Sequence, residues 1–220
     1  MDMTNGTDAT DCVCKIAFSA VILAGGKSSR MGRDKAFVEL GGSNLIARQI
    51  ALVRNVGAGE VFISGREDVD YSAFGCRVLM DKFPDVGPLA GIERALDASA
   101  SPLLLVLAVD MPVMNVMILG RLISSCTAVR GAIPKTNSGI EPLAAVYPKA
   151  TWDKLKLELQ RGNAPGVRWL AQECVASGLA QFVDVSDADA EYFASANSPE
   201  AFQRLTRCGL ISSSRKSVPA

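Results

Sequence analysis

Several short apolar runs in this chain do not alternate with polar residues, and they limit its folding more than any other feature. Leu103-Leu104-Leu105-Val106-Leu107 is apolar at every position, and Val21-Ile22-Leu23 closes a similar run from Ala17. A half-exposed strand alternates in polarity, so a run without alternation must be covered on both faces. Val61-Phe62-Ile63 and the run from Cys76 to Met80 read the same way. Helical spacings lie between them. Leu45, Ile46, Ile50 and Val53 follow Asn44, an N-cap for a helix to about Asn55; Ile92, Ala95 and Leu96 follow Gly87-Pro88-Leu89-Ala90-Gly91. Strands alternating with helices predict an α/β fold, a three-layer α/β/α sandwich with a mostly parallel sheet.

The second half is less regular. Gly131-Ala132-Ile133-Pro134 and Leu143-Ala144-Ala145-Val146-Tyr147 read as strands joined by a polar loop from Lys135 to Gly139. Helices are expected over about 150–161 and 165–177, then a strand over 181–185. A last helix begins at Asn197-Ser198-Pro199, with Ser198 as its cap, Pro199 at its first position and Gly209 closing it. With 220 residues, 49% of them hydrophobic, one core is the expectation. A single domain over 16–208 is therefore predicted, with a disordered leader at 1–15 and a disordered tail at 209–220.

Charge and composition exclude several classes. Lys plus Arg and Asp plus Glu balance at 23 each, so no global field attracts nucleic acid or an anionic membrane. No apolar run approaches the ~20 residues of a membrane span, and residues 1–11 lack the basic and apolar segments of a secretory signal. Six scattered cysteines without a histidine argue against zinc and fit free thiols in a reducing cytoplasm, the expected location. The absence of histidine also removes Ser-His and Cys-His nucleophiles. Any chemistry must run on carboxylates, cations, backbone dipoles or a metal.

The densest local charge follows the first apolar run, in Leu23-Ala24-Gly25-Gly26-Lys27-Ser28-Ser29-Arg30-Met31-Gly32-Arg33-Asp34-Lys35. Adjacent glycines expose backbone N–H groups, and Lys27, Arg30 and Lys35 supply positive charge, as a phosphate cradle requires. A basic surface turn is the plainer alternative. A P-loop would need glycine where Val21 stands, and a dinucleotide fingerprint fails at Lys27 and Arg30. Asp110 ends the most apolar run just before Pro112, where a carboxylate serves as a magnesium ligand or as a turn residue. Ligands of parallel sheets sit beyond the carboxyl ends of the strands, which puts the glycine loop, Ser64, Asp81 and Asp110 on one edge.

The pattern L-A-G-G-x-S-x-R-M-G-x-D-K resembles the signature loop of molybdenum cofactor guanylyltransferases, within the wider family of sugar-phosphate and isoprenoid nucleotidyltransferases. Asp110-Met111-Pro112 resembles that family's D-M-P element, Glu141-Pro142-Leu143 the segment on its pterin side, and Asn197-Ser198-Pro199-Glu200 its N-T-P-E ending. The resemblance spans about residues 18–207. It implies a Rossmann-like sheet of the nucleotide-diphospho-sugar transferase type. It also implies GMP transfer from GTP to the terminal phosphate of molybdopterin, with pyrophosphate released. Gly25, Gly26 and Arg30 would hold the β- and γ-phosphates, and Lys35 would meet the α-phosphate. Asp110 would anchor Mg²⁺. Leu23, Ala24, Ser64, Asp81 and Asn197 would contact the nucleotide, although serine replaces the family's usual asparagine at Ser64. Transient contacts with cofactor-synthesis or molybdoenzyme chaperone proteins are further implied. A cytidylyltransferase for the same cofactor is the nearest alternative, though such enzymes tend to read L-A-A-G. A non-catalytic partner in cofactor delivery is the other, against which Lys35 and Asp110 argue.

Overall fold

The centre of the molecule is β1 (Phe18–Leu23), hydrogen-bonded on both sides to parallel neighbours. Val21 sits in register with Phe62 of β4 (Glu60–Ser64) and with Val106 of β6 (Leu103–Ala108). The computed structural model describes residues 16–25, 35–83, 85–163 and 165–196. The expected leader and tail, the greater part of the glycine loop and the last helix lie outside these.

Between β1 and β4 the chain makes a small hairpin, β2 (Glu39–Leu40) and β3 (Ser43–Asn44). Its Gly41 and Gly42 both have positive φ, the requirement of a two-residue type I′ turn. Asn44 then caps α1 (Leu45–Asn55), its Oδ1 accepting from the Ala47 N–H at 2.9 Å, as expected from the sequence. After β4 come β5 (Arg77–Leu79) and α2 (Pro88–Ala98), which has Pro88 at its first position and leads to β6.

The second half adds α3 (Val116–Ser124), β7 (Gly131–Thr136), β8 (Gly139–Ile140) and β9 (Ala144–Pro148). It continues through α4 (Trp152–Gln160), α5 (Val167–Ala176), β10 (Ala180–Asp184) and the single-turn α6 (Asp187–Ala190). The sheet has eight strands in the order β10-β7-β9-β6-β1-β4-β5, with β8 on β7. Pairing is parallel throughout β6-β1-β4-β5 and between β10 and β7; β9 runs antiparallel to both β6 and β7.

Two expectations need correction. The polar loop over 135–139 is mostly a hairpin, because β7 runs on to Thr136 and turns back through β8; Thr136 Oγ1 closes it on the Gly139 carbonyl at 3.0 Å. Helix α3 was not expected at all. Asn115 caps it through the Ile118 N–H at 2.9 Å, and Ile118, Leu119 and Leu122 bury its inner side.

Covering the sheet on both faces gives two apolar layers. Alternate residues of β1 and β6 (Phe18, Ala20, Ile22; Leu103, Leu105, Leu107) join α1 and α3 on one face. Val21, Leu104 and Val106 join α2, α4 and α5 on the other. Truncating one such leucine to alanine costs about 2–5 kcal/mol. The unbroken apolar runs of the sequence are these two-sided strands.

Candidate active site

Backbone hydrogen bonds lock the ends of the parallel strands together. The Ala24 N–H donates to the Ser64 carbonyl (2.9 Å), the Val109 N–H to Leu23 (3.2 Å) and the Gly65 N–H to Leu79 (3.2 Å). Beyond them opens a cleft of about 490 Å³. Leu23, Ala24, Gly25, Lys35, Ser64, Asp81 and Asp110 all line it, so the structure brings these sequence-selected residues to one place. Gly26, Arg30 and Asn197 lie outside the described residues. The chain does return to the site just before Asn197, where the Ala196 N–H donates to the Asp110 carbonyl at 2.8 Å.

Asp110 and Lys35 face each other, Nζ to Oδ2 at 3.6 Å, each side chain about one-fifth exposed (18% and 19%). Asp110 arrives on β6 and Lys35 on a 3-10 turn, residues Lys35–Phe37, that packs near α1. Helix α1 also holds the loop after Asp110. Buried Gln49 donates through Nε2 to the Met111 carbonyl at 2.7 Å, and Arg48 reaches the Pro112 carbonyl at 3.3 Å. This clamp was missed in the sequence, because a glutamine within a helix reads as a surface residue.

Gly25 lines the cleft, and a Cβ built on it would meet the Gly65 carbonyl only at 3.5 Å, an ordinary contact. Packing among the described residues therefore does not demand a glycine at this position. Gly91 is the opposite case. A Cβ there would overlap the Ser64 hydroxyl, so the missing side chain lets α2 lie against the end of β4. Ser64 is buried, and its hydroxyl faces the Asp81 carboxyl. Desolvation pushes the Asp81 carboxyl above its ordinary range, and the Ser64 hydroxyl pulls it part of the way back.

Phe83 and Asp85 complete the wall before Gly87-Pro88. They were not singled out in the sequence. Asp85 holds φ at +59°, a left-handed conformation that aspartate tolerates in turns but that no spacing pattern signals. Across the cleft Leu143 contributes, its carbonyl accepting from the Ala108 N–H at 2.8 Å.

A divalent ion can be tested against this donor set. Asp110, Asp81 and Asp85 line the cleft, yet among the described residues no three His, Cys, Asp or Glu side chains cluster closely enough to cage a metal. Mg²⁺ needs no cage, since it takes one or two carboxylates and completes its shell with water and substrate phosphates. The residues fit that mode. A cleft with one ammonium, a strand-end carboxylate and glycine backbone suits a substrate that carries its own phosphates.

Comparison with known proteins agrees with this geometry. Residues 20–178 match the model of the MobA-like NTP transferase domain. A probable molybdenum cofactor guanylyltransferase of Opitutus terrae is 39% identical over 158 residues, covering 70% of this chain and 78% of the relative. Among solved structures, a nucleotidyl transferase from Methanothermobacter thermautotroptrophicus superposes with a TM-score of 0.70 at 21% identity, over 88% of this chain and 97% of that one. Molybdopterin-guanine dinucleotide biosynthesis protein A from Archaeoglobus fulgidus gives 0.66 at 23% identity, over 87% and 98%. These two likenesses speak for the fold.

Proposed function

The chain belongs to the MobA-like NTP transferase family, and we propose that it transfers GMP from GTP to the terminal phosphate of molybdopterin, releasing pyrophosphate. The observation that carries this reading is the Lys35–Asp110 pair at 3.6 Å, set at the ends of parallel strands in a glycine-lined cleft. Curated relatives named as guanylyltransferases favour GTP over the cytidylyl alternative.

An oxygen of the acceptor phosphate attacks the α-phosphorus in line. The new P–O bond forms as the bond to the β-phosphate bridging oxygen breaks, and pyrophosphate leaves with that electron pair. A phosphate nucleophile is already ionised at neutral pH, so no general base is needed, in keeping with a chain without histidine. The Gly25 and Gly26 backbone and Arg30 hold the outer phosphates, while Leu23, Ala24, Ser64, Asp81 and Asn197 contact the nucleoside. The Lys35 ammonium meets the charge that grows on the α-phosphate. Asp110 is the residue that would hold Mg²⁺, whose chemistry when bound is to neutralise phosphate charge. Lys35 beside Asp110 orients that carboxylate until substrate arrives. The described cysteines, Cys76, Cys126 and Cys174, are free thiols, which suits the proposed cytoplasmic location.

The test is a thermal-shift and turnover series. With Mg²⁺ present, GTP should raise the melting temperature more than CTP, and pyrophosphate should appear only when molybdopterin is added. Preference for CTP would assign the cytidylyl reaction instead, and GTP binding without pyrophosphate release would make the chain a non-catalytic carrier.

A further inference from the structure

Lys35 and Asp110 meet at the cleft, yet they are held from different sides. The clamp from α1 fixes the loop after Asp110. On the side of Lys35 stand three aromatic rings that do not line the cleft and that the transfer chemistry does not use. A 3-10 helix has three residues per turn, so the side chains of Lys35, Ala36 and Phe37 leave the backbone about 120° apart. Lys35 lines the cleft, Ala36 is fully buried in the layer that includes α1, and Phe37 goes to the ring of Tyr71. The Phe37 and Tyr71 centroids are 6.0 Å apart with their planes at 30°, and Phe74 lies 6.0 Å from Phe37 at a tilt of 48°. Both spacings are those of interacting aromatic pairs. The rotation of the turn, and with it the direction of Lys35, is thus held by Ala36 on one side and Phe37 on the other.

Tyr71 is itself fixed in place. The Asp70 Oδ1 accepts from the Ser72 N–H at 2.8 Å, and the Phe74 N–H donates to the Tyr71 carbonyl at 3.1 Å, closing a 3-10 turn over Ser72–Phe74. The Tyr71 ring is buried and lies against Gly65, where a Cβ would come within 2.5 Å of its Cε2. Gly65 does not have a positive φ, so the ring rather than the backbone angle calls for glycine there. Gly65 follows Ser64, whose carbonyl holds the Ala24 N–H at the start of the glycine loop. One ring therefore joins the strand end that carries the glycine loop to the turn that carries Lys35. Phe37, by contrast, is 39% exposed. Hydrophobic stabilisation follows the area removed from water, so truncating Phe37 takes less from the core than truncating Tyr71.

We propose that Phe37 and Tyr71 are positioning residues for Lys35, their stacked rings setting the direction in which its ammonium enters the cleft. The proposal rests on the transfer reading above, in which Lys35 acts on the α-phosphate. Neither ring touches the reacting atoms. Their effect is on geometry, so it belongs to the step that depends on where the ammonium stands, and the hold on the outer phosphates is left to the glycine loop. Gly65 enters the same chain of contacts, because a methyl group there would push the Tyr71 ring toward Phe37 or off it.

The experiment is steady-state kinetics with GTP and molybdopterin on the full chain carrying Phe37→Ala, Phe37→Tyr or Gly65→Ala, with melting temperatures recorded alongside. In Phe37→Ala kcat should fall about 10-fold or more, since a displacement of about 1 Å costs up to about 10²-fold in rate. The KM for GTP should stay within about two-fold of wild type. Phe37→Tyr, which keeps the ring, should recover most of the rate. Gly65→Ala should lower kcat in the same manner without touching Phe37. The decisive arm is Phe37→Ala on a Lys35→Ala background, where it should cost no further kcat, because two changes that act through one group do not add. An unchanged kcat in Phe37→Ala overturns the proposal, as does a full further loss on the Lys35→Ala background or a rise confined to the GTP KM. Each of these leaves guanylyl transfer intact. If Gly65→Ala does not fold, the two Phe37 variants and the Lys35→Ala cycle still decide. A wild-type protein that transfers no GMP to molybdopterin overturns the functional reading and this role of the rings with it.

Discussion

In the first half of the chain β1, β4, β5 and β6 all run the same way, so every loop at their carboxyl ends falls on one edge. Gly25, Ser64, Asp81 and Asp110 reach the cleft by that rule alone. The second half breaks the rule: β9 is reversed, and the cleft receives the turn before a strand rather than the loop after one. The two halves also hold their desolvated carboxyls differently. Asp81 is eased by the neutral hydroxyl of Ser64, and Glu141 by the charge of Arg168.

The strongest way to break this comparison is at the junction of the halves. Asp110→Asn should keep the fold and reduce turnover by on the order of 10³-fold or more, because an amide lacks the charge to hold a divalent ion. Near-normal pyrophosphate release from a folded variant would take the metal role away from Asp110. Lys35→Ala comes next. If its ammonium meets charge that grows during transfer, kcat should fall on the order of 10²–10³-fold while GTP affinity weakens much less. Lys35→Arg should not restore the rate. Unchanged kcat with weakened GTP binding would leave Lys35 a ground-state contact only.

The parallel half was far more legible in the sequence than the reversed one. Continuous apolar runs mark β1, β4 and β6, and the Asn44 cap marks the start of α1, because burial on two faces and an unmet helix N-terminus each leave a local signature. The hairpin end of β7 is polar and β8 is only two residues long, too short for any period to register. Helix α3 is legible once its ends are known: Asn115 caps it, Ile118, Leu119 and Leu122 form a buried face, and Arg121 is exposed. At the site, Asp110 could be read from its place at a strand end. Gln49 and Asp85 could not, since one acts through a tertiary contact and the other through a dihedral angle.

A third test concerns the seam of the second half alone. A Cβ on Gly131 would overlap the backbone carbonyl of Val146, and a carbonyl in the sheet cannot swing aside as a side chain can. Gly131→Ala should therefore destabilise by about 1–3 kcal/mol, lowering the melting temperature by about 2–12 °C for a chain of this size. The KM for GTP should stay put, since β7 does not touch the nucleotide side. A loss of GTP affinity equal to the loss of stability would mean that the halves are not separable.

The smallest effect sharpens the contrast between the two carboxyls. Asp81 carries a raised carboxyl, so the folded protein binds that proton more tightly than the unfolded chain does. The favourable contribution is fully present below the ordinary value of 3.8 and is lost as pH rises through the raised folded value. Ionising Asp81 therefore costs the folded protein stability. Asp81→Asn should thus melt higher than wild type at pH 7, bind GTP more weakly, and lose its thermal advantage as the pH falls below the carboxylate range. Glu141→Gln has the same sign, but Arg168 offsets part of its cost. Salt screens the pull of an exposed guanidinium and leaves a hydroxyl hydrogen bond largely alone. Added salt at pH 7 should therefore widen the advantage of Glu141→Gln while that of Asp81→Asn holds steady. Thermal melts at two pH values and two ionic strengths decide it: a lower melting point for Asp81→Asn at pH 7 would show that its carboxylate serves the fold, and equal salt responses would dissolve the distinction between the two halves.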